Sequence, residues 1–209
     1  MSKPHLLLIG AGGHARACIE VIEQQGLYQI AGLVGMPEER RTQHLGYTVI
    51  ATDRDLPELA KVYQYAVITV GQIRSPDVRM RLFQRATELG FQLPSIVAPT
   101  AHVSRHATIG AGTIVMHGAI VNAGARVGNN CIVNSRSLLE HDAMIEDHCH
   151  ISTGAILNGN VRVGSGSFVG SGSVVKEGIT LGKRCIIGIG LPVRHTQADH
   201  ARFVGGDKS

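Results

Sequence analysis

The sequence predicts an α/β domain with a small parallel sheet over residues 1–98, then a three-sided parallel β-helix over residues 99–194 and a tail over 195–209. Three observations carry this. From Val103 to Val193 every sixth residue is aliphatic. The first half lacks that period and alternates strand-like with helix-like segments, opening on strand, glycine turn and helix. The 209 residues include 26 glycines, no tryptophan and only 4% aromatics, so the core is filled by small and aliphatic side chains in something narrow or repetitive.

The aliphatic row runs Val103, Ile109, Val115, Val121, Val127, Val133, Leu139, Ile145, Ile151, Leu157, Val163, Val169, Val175, Leu181, Ile187 and Val193. A second, mostly small column stands two residues earlier, with Ala101, Ala107, Thr113, Ala119, Ala125, Cys131 and Ser137. A six-residue period fits neither a helix nor an isolated hairpin. It fits short strands joined at the corners of a prism, three hexads to a coil and coils stacked at about 4.8 Å, giving about 25 Å of prism. Both columns point inward. Gly110, Gly128, Gly164, Gly170, Gly182 and Gly188, with Asn122, Asn134 and Asn158, follow the aliphatic residue and are expected to supply the conformationally tolerant corners.

In the first half, His5–Ile9 reads as a buried strand, Gly10 to Gly13 as a turn, and His14 to Gln25 as a helix. Strands are expected at Gln29–Val34, Ala66–Val70 and Gln92–Val97, and a short helix at Asp53–Ala60. Ser75-Pro76-Asp77 starts a further helix that Gly90 stops. Gly10-x-Gly12-x-x-Ala15 matches the Rossmann-like dinucleotide fingerprint, with a strand before it and a helix after. A dinucleotide site also needs an acid near the end of the second strand. That position reads Val34-Gly35-Met36, with Glu38 beyond it, so NAD and FAD are disfavoured. The turn still suits an anion such as a nucleotide-sugar diphosphate, and also serves as a plain strand-to-helix connection.

Composition excludes other classes. No apolar run is long enough for a membrane span, and no secretory or targeting segment is expected. The net charge is +4 without a basic run, which argues against nucleic-acid binding. Cys18, Cys131, Cys149 and Cys185 make no zinc-like spacing. Cys131, Cys149 and Cys185 share one inward column with Ser167, as buried fillers. A cytoplasmic, reduced protein is expected.

One stretch of the prism carries chemistry: Asn134-Ser135-Arg136-Ser137-Leu138-Leu139-Glu140-His141-Asp142, followed by His148-Cys149-His150. Leu139 and Ile151 point inward by register, which leaves His141 and Asp142 exposed at the next corner and His150 facing out. An imidazole beside a carboxylate makes a general base near neutral pH, although exposed histidines on such faces also occur as solvated residues. His102, His106 and His117 read as surface residues. A single prism has flat faces, so a complete site needs a neighbour, and a homotrimer with sites between subunits is expected.

The hexads, Gly10-Ala11-Gly12-Gly13-His14 and the stretch Asn134 to His150 together resemble the hexapeptide-repeat sugar acetyltransferases. The likeness is to the branch that contains the bacillosamine N-acetyltransferases and the sialic acid O-acetyltransferases. The resemblance implies a left-handed prism and acetyl-CoA as co-substrate, without a metal. It implies that His141 is the base, Asp142 raises its basicity and Asn134 lines the site. It further implies that His150 and the backbone around Gly159, Gly170 and Gly188 contact acetyl-CoA, and that Gly12, Gly13 and His14 contact the nucleotide sugar. The implied acceptor is the 4-amino group of a UDP-4-amino-4,6-dideoxy-sugar, in the making of a bacterial surface glycan or glycoprotein. Relatives that hold UDP usually carry an acid just after the second strand, where this chain has Gly35-Met36.

The acceptor attacks the thioester directly in this reading, since neither a nucleophilic cysteine nor a Gly-x-Ser-x-Gly motif is present. Three alternatives stand beside it. One is O-acetylation of sialic acid or a related nonulosonic acid. Another is a metal enzyme like the gamma-class carbonic anhydrases, disfavoured because Glu146 stands five residues after His141 and the interval from His148 to His150 is wrong. The last is a non-catalytic scaffold.

Overall fold

The computed structural model describes residues 2–205. It divides into two compact units, one comprising Met1–Gly71 with Asp77–Pro99, the other Gln72–Pro76 with Thr100–Ser209.

In the first unit, β1 (His5–Ile9), α1 (Gly13–Gln25) and β2 (Gln29–Gly35) lie where the pattern puts them. A hairpin follows, β3 (Gln43–His44) and β4 (Tyr47–Thr52), and it was not expected. Its two turn residues, Leu45 and Gly46, both have positive φ (50° and 87°), the signature of a primed turn. Leucine is a poor residue for that conformation, so the turn carries no Asn-Gly signal to read. The helix foreseen at Asp53–Ala60 starts as a 3-10 turn and continues as α2 (Leu56–Leu59). After it come β5 (Tyr65–Ile68) and α3 (Asp77–Glu88).

The sheet order is β3-β4-β2-β1-β5, parallel except for the β3–β4 pair. The core packs Leu7, Ile9, Val34, Ile68, Leu82 and Phe91 together. Arg79, on α3, is fully buried and donates from Nη1 to the carbonyls of Ile68 at 2.6 Å and Val70 at 2.8 Å. That pair of charge-assisted bonds caps the end of β5 with a helix side chain. The strand expected over Gln92–Val97 survives as a bridge from Gln92 to Tyr65 and a two-residue strand at Ile96–Val97. Pro94 separates the two and cannot donate to a ladder.

The second unit is a left-handed parallel β-helix, and every hexad forms a two-residue strand that ends on the aliphatic residue. Its strands pair in parallel at eighteen-residue intervals, as in Ile120↔Leu138↔Ile156↔Val174. The first face presents Ile120, Leu138, Ile156 and Val174 outward, the second Arg126, Met144, Arg162 and Thr180, the third Ile132, His150 and Phe168. The row residues Val115, Leu139, Leu157, Val175 and Ile187 are fully buried, and so are Thr113, Ala119, Ala125, Cys131 and Ser137 in the column two before.

The corners differ from expectation. The residue with positive φ comes three positions after the aliphatic one, at Gly112, Gly118, Gly124, Asn130, Arg136, Asp142, His148, Gly154, Asn160, Gly166, Gly172, Gly178, Arg184 and Gly190. The glycines directly after the aliphatic residues do not have positive φ and are small for another reason. A Cβ on Gly164 would lie 2.6 Å from the Gly182 carbonyl carbon in the next coil. These glycines allow coils to stack closely, and the left-handed bend is made elsewhere.

Residues 195–203, expected as part of a tail, continue the winding. Gln197 bridges Leu181, and Arg202–Phe203 pairs with Ile186–Ile187. Two of the three strand edges of the last full coil, at Leu181 and at Ile186–Ile187, are thereby covered. Residues 206–209 of the expected tail lie outside the described residues. No helix among the described residues is long and apolar enough to cross a membrane.

Candidate active site

His141 and Asp142 occupy the corner that follows Leu138–Leu139, between the first and second faces. Asp142 adopts the left-handed conformation (φ 60°), which turns its side chain back toward the preceding histidine. His141 Nδ1 lies 3.0 Å from Asp142 Oδ2, with both side chains about 60% exposed. A carboxylate only accepts, so Nδ1 carries the hydrogen and Nε2 keeps its lone pair. The hydrogen bond to Asp142, with the charges of Asp142, Glu140 and Glu177, raises the imidazole above its ordinary pKa. Glu140 is itself held, accepting from Asn122 Nδ2 at 2.9 Å and from the His141 N–H at 3.3 Å.

Gly159 stands one coil further along the same corner. A Cβ there would lie 2.6 Å from both His141 Cε1 and Nε2, so the missing side chain is the space the ring occupies. Among the described residues its N–H has no protein partner, while its carbonyl accepts from Gly178 at 2.9 Å. Gly170 and Gly188 are different. Their N–H groups donate to the carbonyls of Ile187 at 2.9 Å and Phe203 at 2.8 Å, and they sit together at another corner. Of these three glycines, only Gly159 keeps its own N–H without a protein partner among the described residues.

Asn134 and His150 also come together, away from His141. His150 is 7% exposed and lies edge-on to Phe168, with ring centroids 5.2 Å apart. Its Nδ1 bonds the Gln72 carbonyl, so Nδ1 carries the hydrogen, and Nε2 accepts from Asn134 Nδ2 at 3.1 Å. Asn134 Oδ1 accepts the Ser135 N–H at 2.8 Å. Gln72 Nε2 donates to the His148 carbonyl at 2.9 Å, which seats this segment on the third face. The outward direction of His150 matches the hexad register. Both of its ring nitrogens are engaged inside the protein. Gln72 is the residue that sequence reasoning missed, and no local signal connects it to a histidine 78 positions away.

In the first unit, Gly10 to Gly13 connect β1 to α1. Gly10 (φ 123°) packs so tightly on Val70 that a Cβ would approach the Val70 nitrogen to 2.7 Å. Thr69 Oγ1 donates to the Gly10 carbonyl at 2.6 Å. Gly12 and Gly13 have open space where side chains would stand, and His14 begins the first turn of α1 beside Gly71. Among the described residues no three His, Cys, Asp or Glu side chains converge as a metal site would require.

The prism of hexads is the fold of the hexapeptide-repeat transferases. Residues 5–86 match the family model described as the PglD N-terminal domain, and residues 142–177 match the bacterial transferase hexapeptide (six repeats). The acetyltransferase domain of PglB from Neisseria gonorrhoeae FA1090, solved in complex with acetyl coenzyme A, is similar to this chain. Identity is 31% with a TM-score of 0.88, covering 96% of each chain. A His-to-Asn mutant of perosamine N-acetyltransferase from Caulobacter crescentus, solved with CoA and GDP-perosamine, is 30% identical with a TM-score of 0.91. That match covers 98% of this chain and 95% of the other. WeeI from Acinetobacter baumannii AYE shares the fold at 17% identity and a TM-score of 0.76. No curated protein sequence matches the chain. The chain belongs to the bacillosamine-type family of hexapeptide-repeat sugar acetyltransferases.

Proposed function

We propose that this protein transfers acetyl from acetyl-CoA to the 4-amino group of a nucleotide-linked 4-amino-4,6-dideoxy-sugar. The observation that carries the reading is the His141–Asp142 pair lying over Gly159. His141 Nε2 takes a proton from the acceptor nitrogen as that nitrogen attacks the thioester carbonyl. Asp142 orients the ring and stabilises the imidazolium that forms. The Gly159 N–H, lacking a protein partner, is the donor for the tetrahedral oxyanion. Collapse breaks the C–S bond, and the imidazolium returns the proton to the departing thiolate.

The relatives support the substrates, one being solved with acetyl coenzyme A and another with CoA and GDP-perosamine. The open loop at Gly12 and Gly13, ahead of His14 and α1, suits the diphosphate of the acceptor. Asn134 and His150 hold each other in the wall of the site through their mutual bond. UDP and GDP are both candidates for the nucleotide, because Gly35 and Met36 stand directly after Val34, where the UDP expectation puts an acid.

The acceptor site is completed by a neighbouring copy in a homotrimer. Ile120 (39% exposed) and Val174 (41% exposed) belong to an apolar ladder with Leu138 and Ile156 on the first face, and His141 stands at its edge. A contiguous apolar stripe of this kind marks an association surface. Val174→Lys is expected to yield monomers in sedimentation and to lose acetyl transfer with them. Four free, buried cysteines suit a reducing cytoplasm.

The deciding experiment measures thiol release from acetyl-CoA with UDP- and GDP-linked 4-amino-sugars beside free and CMP-linked sialic acid. Release with an amino sugar, lost in His141→Ala, supports the reading. Release only with sialic acids overturns the acceptor, and an active His141→Ala overturns the base.

A further inference from the structure

In sequence the end of β2 has no acid, since Val34 is followed by Gly35 and Met36. The fold brings one there from a neighbouring turn. Pro37 opens a 3-10 turn that carries Glu39 back over the strand end, where Oε2 accepts the Met36 N–H at 2.8 Å. A Cβ on Gly35 would lie 2.8 Å from that same oxygen and 3.0 Å from the Ala11 Cβ. The bare glycine is what allows the carboxylate and the glycine loop to close over one residue. Thr42 fixes the turn, its N–H and Oγ1 both donating to the Glu39 carbonyl, at 2.9 and 2.6 Å. Glu39 Oε1 has no protein partner among the described residues.

A carboxylate at the end of the second parallel strand, beside a glycine turn that opens a helix, is the arrangement that grips a ribose whose phosphates rest on the helix N-terminus. An ionised carboxylate can only accept, and ribose hydroxyls donate. We infer that Glu39 Oε1 binds the ribose 2′-hydroxyl of the acceptor's nucleotide, replacing the acid that the strand itself lacks. This rests on the reading of the acceptor as a nucleotide sugar. Ribose recognition is then a property of the 36–42 turn. It applies to UDP and GDP alike, because the contact does not involve the base.

The test is calorimetric binding of UDP, GDP and their 2′-deoxy counterparts to the full chain. The wild type is expected to bind the 2′-deoxy forms about tenfold more weakly, the scale of one hydrogen bond to a charged group. In Glu39→Gln the amide oxygen still caps Met36. This variant should bind the ribose forms about tenfold more weakly and the deoxy forms as the wild type does. Glu38→Gln should behave as wild type throughout.

Unchanged ribose binding by Glu39→Gln overturns the inference. Equal losses for ribose and deoxy forms also overturn it, because they would assign Glu39 to shaping the loop alone. A wild type that binds neither diphosphate removes it as well. Acetyl transfer is scored separately. A protein with the expected ribose dependence that releases no thiol with any amino sugar keeps this inference and loses the catalytic reading. Transfer without ribose dependence does the reverse.

Discussion

His141 Nδ1 and Asp142 Oδ2 lie 3.0 Å apart, and this bond is the largest contribution to the raised pKa of the imidazole. A general base works when neutral, so activity rises as pH climbs through the His141 pKa. Replacing Asp142 with Asn lowers that pKa, and the acid limb of kcat/KM should move to lower pH. Glu140 and Glu177 still act in the same direction, so part of the elevation persists. The plateau should fall about a hundredfold, as expected when a base loses its partner. A pH–rate profile of Asp142→Asn checks both the shift and the drop.

Gly159→Ala puts a methyl where the His141 ring lies. The ring is exposed enough to swing aside, so folding should be spared while the base is misplaced. We expect kcat to fall about a hundredfold, the cost of an error of about 1 Å in a reacting group, with thermal stability near wild type. Steady-state kinetics and a melting curve on the same sample separate the two effects.

For His150→Ala the expected loss is in stability. The change strands the Gln72 carbonyl and the Asn134 amide and removes the ring contact with Phe168. Denaturant unfolding should show about 2 kcal/mol lost, typical of buried partners left unpaired. The KM for acetyl-CoA should stay as in the wild type. A tenfold rise in KM without a stability loss would support the contact that the resemblance implies.

Arg136 has φ of 57° at a corner where most coils use glycine. Its side chain is exposed, so Arg136→Gly relieves left-handed strain at little contact cost. The variant should gain about 1 kcal/mol, read as a higher denaturation midpoint. Asn130, Arg136, Asp142 and His148 are four successive non-glycine corners. One of them, Asp142, belongs to the Glu140–His141–Asp142 stretch, so backbone strain coincides with the proposed base.

The prism is legible in sequence because each hexad repeats one local decision, and sixteen repetitions leave little room for another register. The same regularity misled about the glycines. Their position after the aliphatic residue suggested a bend, whereas the need for thinness at Gly164 or Gly170 appears only once the next coil is stacked on it. The β3–β4 hairpin escaped notice because Leu45 takes a conformation that leucine rarely adopts. His141 and Asp142 were readable as neighbours in the chain. The partners of His150 and the placement of Glu39 were not, because each depends on a segment folding back from elsewhere.

The inward column of Thr113, Cys131, Cys149, Ser167 and Cys185 forms a chain of its own. Thr113 Oγ1 accepts the Cys131 N–H at 2.9 Å, Cys131 Sγ the Cys149 N–H at 3.4 Å, and Ser167 Oγ the Cys185 N–H at 2.9 Å. Burial pushes the Cys149 and Cys185 thiols up, and in the first unit it takes Cys18 to about 12. All four are buried, so none can meet an alkylating reagent while the chain is folded. Iodoacetamide labelling followed by peptide mass analysis is therefore a clock with two hands. Cys18 times the opening of the sheet domain, and the other three time the unwinding of the coils.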